Sequence, residues 1–391
     1  ALDLAFDYLS YLGTDKMSAE QIASEMYAIA CSFGLSAGAN QSWIEVSGLS
    51  ENMGKAMEIV EGLIAGAQPN EEILQNLKGD MIKSRADAKL NQSRCFGALQ
   101  RYMIYGSDFI RRTTLTDPAL QGLTSEQLLA KIGDLMGKQH EVLYYGPQDE
   151  AEVKAALAAH HKVAADLQPL EKKFSTLQPT DENKVMLAQY DAKQLYYLQY
   201  ANLGKQFDVT ADPEITLYNE YFGGGMNSVV FQEMREARGL AYSASAYIMQ
   251  PHYGDMKYGY MAFIATQNDK MQTAIEAFDE IINQMPESEA AFKIAKEGLI
   301  SRLRTDRTVK EQVLWSFIKL RNMGLGEDRD KQIFEKVQAM TLADVKAAQE
   351  KWVKNRKYVY GILGDIQDLD LNYLKTLGPI RTVSQEELFG Y

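Results

Sequence analysis

The stretch "FGGGMNSVVFQEMREARGLAYSASAYI", residues 222–248, decides how the chain is read. Gly223, Gly224 and Gly225 form a turn whose backbone can be approached more closely than any side-chain-bearing residue allows. Asn227 is placed to cap a helix, Val230, Met234 and Ala237 give that helix a narrow apolar stripe, and Gly239 is a natural stop at its C′ position. An extended run follows. Arg235 sits one turn before the stop, and its neighbours three and four positions away are Phe231, Gln232, Arg238 and Gly239, so no carboxylate on the helix explains it. The helix dipole favours a cation there, but Arg238 meets that need alone. Tyr242, just past the stop, is one of 22 tyrosines, most of which packing accounts for.

Working outward, the stretch turns out to have a counterpart. Tyr8, Tyr11 and Gly13 fall on Tyr218, Tyr221 and Gly223 at a constant offset of 210, and each copy continues through a helix, a glycine (Gly34, Gly239) and a Ser/Ala-rich extended segment. The likeness returns further on. "TSEQLLAKIGDLMGKQHEVLYYG" from Thr124 and "TLADVKAAQEKWVKNRKYVYGILG" from Thr341 both read as an N-capped helix followed by a short aromatic strand. One unit is written twice, which fits 391 residues at about 150 or more residues per domain. The expected domains are residues 1–166, a polar, proline-bearing linker "LQPLEKKFSTLQPTDENK" over 167–184, and residues 185–391. The extended run Val185–Asp208 has no counterpart ahead of Ala1, so the first copy is expected to lack its opening strands and the chain to be cut from something larger.

Within each copy, helix and strand signals mix. Ser18 with Gln21 makes a capping box, Ile22, Met26 and Ile29 a stripe, and Gly34 a stop. Ser50 opens a helix with Met53, Met57, Val60 and Ile64 on one face. Strands are expected at "QSWIEVSGL", at "KYGYMAFIAT" and around Tyr144 and Tyr358. The absence of a short βαβ rhythm points to an α+β sandwich, helices packed on one sheet in each copy.

Composition removes several functions. With 41 basic and 53 acidic residues and no basic block, nothing tracks a phosphate backbone or an anionic membrane, so nucleic acid and membrane insertion are not expected. No run reaches the ~18 apolar residues of a span, and "ALDLAFDYLSYLG" has neither an initiator methionine nor a basic n-region. Cys31 and Cys95 can build neither a disulfide scaffold nor a cysteine zinc site, and read as two buried thiols. His140, His160, His161 and His252 have no metal-ligand spacing, so no metal is assigned to this chain; the adjacent pair reads as a solvated surface feature. No G-x-S-x-G elbow or P-loop occurs.

The run "FGGGMNSVVFQEMREARGLAYS" resembles the signature of the carboxy-terminal repeats of the pitrilysin and insulysin zinc metallopeptidases, and "YLSYLGTDKMSAEQIASEMY" resembles the third repeat of their four-repeat members. The resemblance covers nearly the whole chain. It implies tandem metallopeptidase-type α/β rolls, each a mixed, mostly antiparallel sheet covered by helices, forming one half of a clam-like chamber. It places Leu4–Tyr8, "LAFDY", on the family's H-x-x-E-H motif, where leucine and tyrosine cannot replace imidazoles and Asp7 is short for the glutamate base. This copy is then degenerate, and zinc belongs to a catalytic amino-terminal half. In active relatives the second half lends an arginine and a tyrosine seven positions apart, the spacing of Arg235 and Tyr242; Gly223, Gly224, Gly225 and Asn227 would line the peptide.

The implied partners are that catalytic half, in the same polypeptide or a homologous subunit, and peptide or unfolded substrates. A separate non-catalytic subunit and a structural descendant without peptide role are the alternatives. The sequence itself assigns no compartment; the likeness to long bacterial members points to the periplasm or cell envelope.

Overall fold

A computed structural model describes residues 1–38, 40–170 and 175–391. The chain divides into two compact units, one of Ala1–Asp87, Arg112–Phe174 and Tyr391, the other of Ala88–Arg111 and Ser175–Gly390. The range 1–166 expected for the first repeat therefore includes a segment, Ala88–Arg111, that packs in the second unit. Of the linker 167–184, residues 171–174 lie outside the described residues. Its far end is structured: the Gln178 N–H donates to the Ile104 carbonyl at 2.7 Å, and Lys184 begins a strand.

The first unit is mainly helical. Helix Leu2–Leu9 buries Leu4, Ala5, Phe6, Tyr8 and Leu9, and the Tyr8 hydroxyl donates to Ser125 Oγ at 2.8 Å while accepting from the Asn70 N–H at 2.7 Å. The Ser18–Gln21 box starts helix Ala19–Ala28, with Ile22 and Met26 buried. That helix ends at Ile29, where Ala30 takes a φ of 52°. Gly34 is not its stop: it lies inside β1 (Cys31–Ala37), opposite Glu45 of β2 (Ser42–Gly48) in an antiparallel pair. Helix Met53–Gly66 buries Ala56, Ile59, Val60 and Leu63, leaving Met53, Met57 and Ile64 on the flanks of the stripe. Thr124 and Gln127 box the start of helix Ser125–Met136. The strand expected around Tyr144 does not form; the Tyr144 hydroxyl instead bonds Gln148, whose amide reaches the Ser50 carbonyl at 2.9 Å. Among the described residues this unit's sheet has two strands.

The second unit is built on a mixed sheet. Its strands are β3 (Lys184–Gln189), β4 (Gln194–Gln206), β5 (Ser243–Met249), β6 (Lys257–Gln267), β7 (Val359–Gly364) and β8 (Ile380–Thr382), in the order β5-β6-β4-β7-β3-β8. The pairs β5–β6, β6–β4 and β4–β7 are antiparallel; β7–β3 and β3–β8 are parallel. Alternation along β4 and β6 sends Leu195, Tyr197, Ala201, Tyr260, Ala262 and Ile264 into a core shared with helices Asp212–Phe222, Met271–Asn283 and Leu342–Trp352. The other face takes the first part of the helical segment Gln92–Thr113, which breaks at Gly106 (φ 79°); its Phe96 ring packs 5.2 Å from Tyr196 and 5.1 Å from Phe263. A Cβ at Gly361 of β7 would lie 2.2 Å from Met103 Sδ, so glycine there lets helix and sheet touch. The architecture is α+β, and no helix is long and apolar enough to cross a membrane among the described residues.

β5 is an edge strand that the fold closes. Asn219, near the end of helix Asp212–Phe222, imitates a neighbouring strand: its Oδ1 accepts from the Ile248 N–H at 2.8 Å and its Nδ2 donates to the Ile248 carbonyl at 3.0 Å.

Candidate functional site

The glycine turn, the short helix after it and the start of β5 make one continuous surface feature. Helix Asp212–Phe222 ends against β5, where a Cβ on Gly223 would fall 1.9 Å from the Ala246 carbonyl oxygen. Gly224 is nearly as tight, 2.8 Å from the Asn219 carbonyl oxygen, whereas nothing lies within 4 Å of a Cβ on Gly225. Two of the three glycines are therefore required by packing, and Gly225 faces open space.

Asn227 does not cap the next helix. Ser228 does, in extended backbone, its Oγ accepting from the Phe231 N–H at 3.4 Å. Asn227 lies one residue too early, because the turn uses it before the backbone becomes helical. The helix runs as Val229–Phe231 and then widens into a π segment, Gln232–Ala237, with the Arg238 N–H on the Glu233 carbonyl at 3.2 Å. The buried Met234 closes it, its carbonyl accepting from Leu240 and Ala241 at 2.9 and 3.1 Å. Gly239 takes a φ of 59°, the left-handed turn that a side chain resists. Tyr242 then joins the sheet through its N–H to Ala265 O at 3.0 Å.

This reversal puts Arg235 and Tyr242 together. Uninterrupted helix would leave them some 10 Å apart along the axis. Instead the guanidinium carbon lies 5.3 Å from the Tyr242 ring centroid and 4.9 Å from that of Phe231. Both side chains stay accessible, Tyr242 at 73% and Arg235 at 43%. The carboxylate beside Arg235 is that of Glu236, 3.6 Å from Nε and itself exposed. Arg238, by contrast, is spent on carboxylates, at 2.7 Å from Glu280 and 3.4 Å from Glu233. A guanidinium resting on aromatic faces keeps its planar set of N–H donors available for a carbonyl or carboxylate, and the exposed phenol adds one more.

Sequence reasoning missed Phe231, although its position four residues before Arg235 was the available signal. It also read the histidines as scattered. His140 Nε2 and His161 Nε2 lie 2.8 Å apart, with His161 Nδ1 2.5 Å from Glu61 and His160 Nδ1 3.1 Å from Glu58, so the pair at 160–161 is tethered to helix Met53–Gly66 and not simply solvated. Of the two thiols, Cys95 is buried, which pushes it up from its ordinary range, and Cys31 is half-buried.

The stretch Leu4–Tyr8 has no donor set for zinc. Leu4 and Tyr8 are core residues, the phenol is engaged by Ser125 and Asn70, and only Asp7 of the five is exposed. No group of three histidine, cysteine or carboxylate side chains is placed to hold a metal among the described residues.

Comparison with known proteins adds the relatives. The family model described as the peptidase M16 inactive domain matches residues 135–299, which contain the whole site. The chain is 24% identical over 306 residues to an uncharacterized zinc protease of Rickettsia felis, spanning 75% of this chain and 69% of that one. In fold it is similar to the peptidase M16 inactive domain from Pseudomonas fluorescens, with a TM-score of 0.69, 17% identity, and 93% of this chain and 87% of that one covered. It is also similar to the ferredoxin protease FusC, solved as a point mutant in complex with Arabidopsis ferredoxin, with a TM-score of 0.70 and 11% identity; 93% of this chain covers 40% of that one.

Proposed function

We propose that this chain, which matches the peptidase M16 inactive domain over residues 135–299 and resembles zinc proteases over three quarters of its length, is the non-catalytic half of such a protease, closing a substrate chamber and lending Arg235 and Tyr242 to the bound peptide. The observation that carries the reading is the placement of the Arg235 guanidinium on the Tyr242 ring, both exposed. The zinc and its general base would come from the catalytic half. From this chain, the guanidinium holds a peptide carbonyl beside the scissile bond, and the phenol donates to the oxygen on which negative charge develops. Neither donor reaches substrate until the halves meet, so closure couples capture to catalysis. Gly225 leaves backbone open to the same peptide. The substrates are peptides or unfolded segments.

A catalytic half of the same polypeptide and a homologous catalytic subunit both fit. The coverage of FusC at 40% favours the first, since the chain matches under half of a longer protease; the 69% coverage of the Rickettsia relative favours the second. The test is reconstitution of the chain with its catalytic half, comparing Arg235→Lys and Tyr242→Phe. Each is expected to lower kcat about tenfold to a thousandfold, as losing one oxyanion donor does, with folding intact. Unchanged rates in both variants would remove Arg235 and Tyr242 from the active site.

A further inference from the structure

Helix Gln312–Asn322, "QVLWSFIKLRN", is apolar at more than half its positions yet buries none of them. Helix Met271–Asn283 of the same unit buries seven of its thirteen residues. The exposed apolar side chains are not scattered. Val313 at 49% and Phe317 at 60% exposure are spaced four apart on the helix, and the row ends one turn later in Arg321, whose guanidinium lies 5.8 Å from the Phe317 ring; Val309, at 51%, is exposed just before the helix begins. A second row runs from Trp315, at 41%, to the exposed Lys319. Leu314 and Ile318 occupy the half-buried side.

The surroundings are basic. Arg304, Arg307, Lys310, Lys319 and Arg321 stand against Asp306 and Glu311, with the buried Asp212 close enough to Lys319 to feel its charge, in a chain whose net charge is −12. Arg304 lies over the Phe334 ring, and Arg307 donates to backbone carbonyls of Arg304 and Asp306. Positive φ marks both ends of the helix, 52° at Lys310 and 75° at Gly324. For lysine that conformation is costly, and such costs persist where the position of the element matters. Apolar ridges, each followed by a cation, fit a chain that alternates apolar and acidic side chains.

We propose that Val309–Arg321 is a docking ridge for a polypeptide segment of acidic and apolar character. The inference rests on the proteolytic reading above, and names the class of substrate segment this half favours. Apolar side chains would lie along the Val313, Phe317 row and beside Trp315, with carboxylates meeting Lys310, Lys319 and Arg321.

The experiment measures fluorescence anisotropy of two labelled peptides of equal length, leucine and phenylalanine alternating with glutamate in one and with lysine in the other, binding the whole chain. The glutamate peptide is expected to bind about tenfold tighter at low salt, an advantage that shrinks in high salt. Val313→Ser with Phe317→Ser should weaken it by about tenfold, and Lys310→Glu with Lys319→Glu should reverse the preference. All four positions are exposed, and unchanged melting of the variants checks their fold. Equal affinities, no binding, or unmoved variants would overturn the proposal. So would self-association that the serine variant abolishes, which would make the ridge a contact between copies. Sedimentation with phosphatidylglycerol vesicles that the glutamate variant abolishes would make it a membrane contact instead. Because the readout is binding without cleavage, failure here leaves the Arg235 and Tyr242 assay standing, and failure there leaves this one.

Discussion

Arg235 rests on the face of Tyr242, its guanidinium carbon 5.3 Å from the ring centroid, with Phe231 at 4.9 Å as a second support. Each such contact is worth about 0.5–1 kcal/mol at an exposed site, enough to bias one orientation of a long side chain. Phe231→Leu keeps both functional groups and removes one support. In the reconstituted enzyme it should lower kcat by about threefold to tenfold, less than either Arg235→Lys or Tyr242→Phe. Steady-state kinetics on the three variants gives the ranking, and a Phe231→Leu loss equal to that of Arg235→Lys would contradict it.

The glycines separate folding from function. A methyl group at Gly223 meets the Ala246 carbonyl, which cannot move without breaking β5 from its place, so Gly223→Ala should cost about 1–3 kcal/mol or prevent folding. Gly225→Ala meets nothing and should stay within about 0.5 kcal/mol of the parent. Denaturant unfolding of both variants checks the contrast. Any loss of peptide cleavage in Gly225→Ala at full stability then reports on the bound substrate.

Asp279 gives the second unit a pH dependence. Burial raises its carboxyl to about 6 from 3.8, and neighbouring Glu276 adds to the rise, although Gln199 Nε2 donates to it at 3.3 Å. The folded chain thus holds a proton that the unfolded chain releases, and this contribution to stability is lost as pH climbs from about 4 through 6. Asp279→Asn keeps an acceptor for Gln199 and cannot ionise. It should match the parent near pH 4 and exceed it by about 1–3 kcal/mol above pH 7, read from urea midpoints across pH.

Asp212, 1% exposed, is held by the Arg329 guanidinium, which also donates to Gln250 Oε1 at 2.5 Å. Burial raises the Asp212 carboxyl in spite of that partner. Arg329→Ala would strand the carboxylate and should cost about 3–5 kcal/mol near neutral pH, most of it recovered in the double variant with Asp212→Asn. Thermal melts of the single and double variants make the comparison.

Local chemistry was legible in the sequence where the neighbours along the chain decide the outcome. The box at Ser18, the cap at Thr124, the left-handed stop at Gly239 and the extended runs that became β3, β4 and β6 need only nearby residues. The spacing of Arg235 and Tyr242 and the turn at Gly239 that brings them together were visible; Phe231 as a second support for the guanidinium was not. What stayed hidden was tertiary. Gly34 lies in a strand because Glu45 pairs across from it, and the run at Tyr144 has no partner strand among the described residues of its own unit. Nothing in the spacing of Asn219 announces that it will take the place of a strand beside Ile248.

Helix Gln92–Thr113 supplies one face of a sheet whose strands are encoded after the linker, beginning at Lys184. During synthesis it emerges with Phe96, Leu99 and Met103 uncovered, and waits for β4, β6 and β7 to be made before its apolar side has anywhere to go. Its contacts span long stretches of chain, which slows their formation and lengthens the time the apolar side is exposed to other nascent chains. A protease cut within 167–184 would accordingly leave the second unit as two fragments that still hold each other, and expressing residues 185–391 alone would yield a sheet with one face bare.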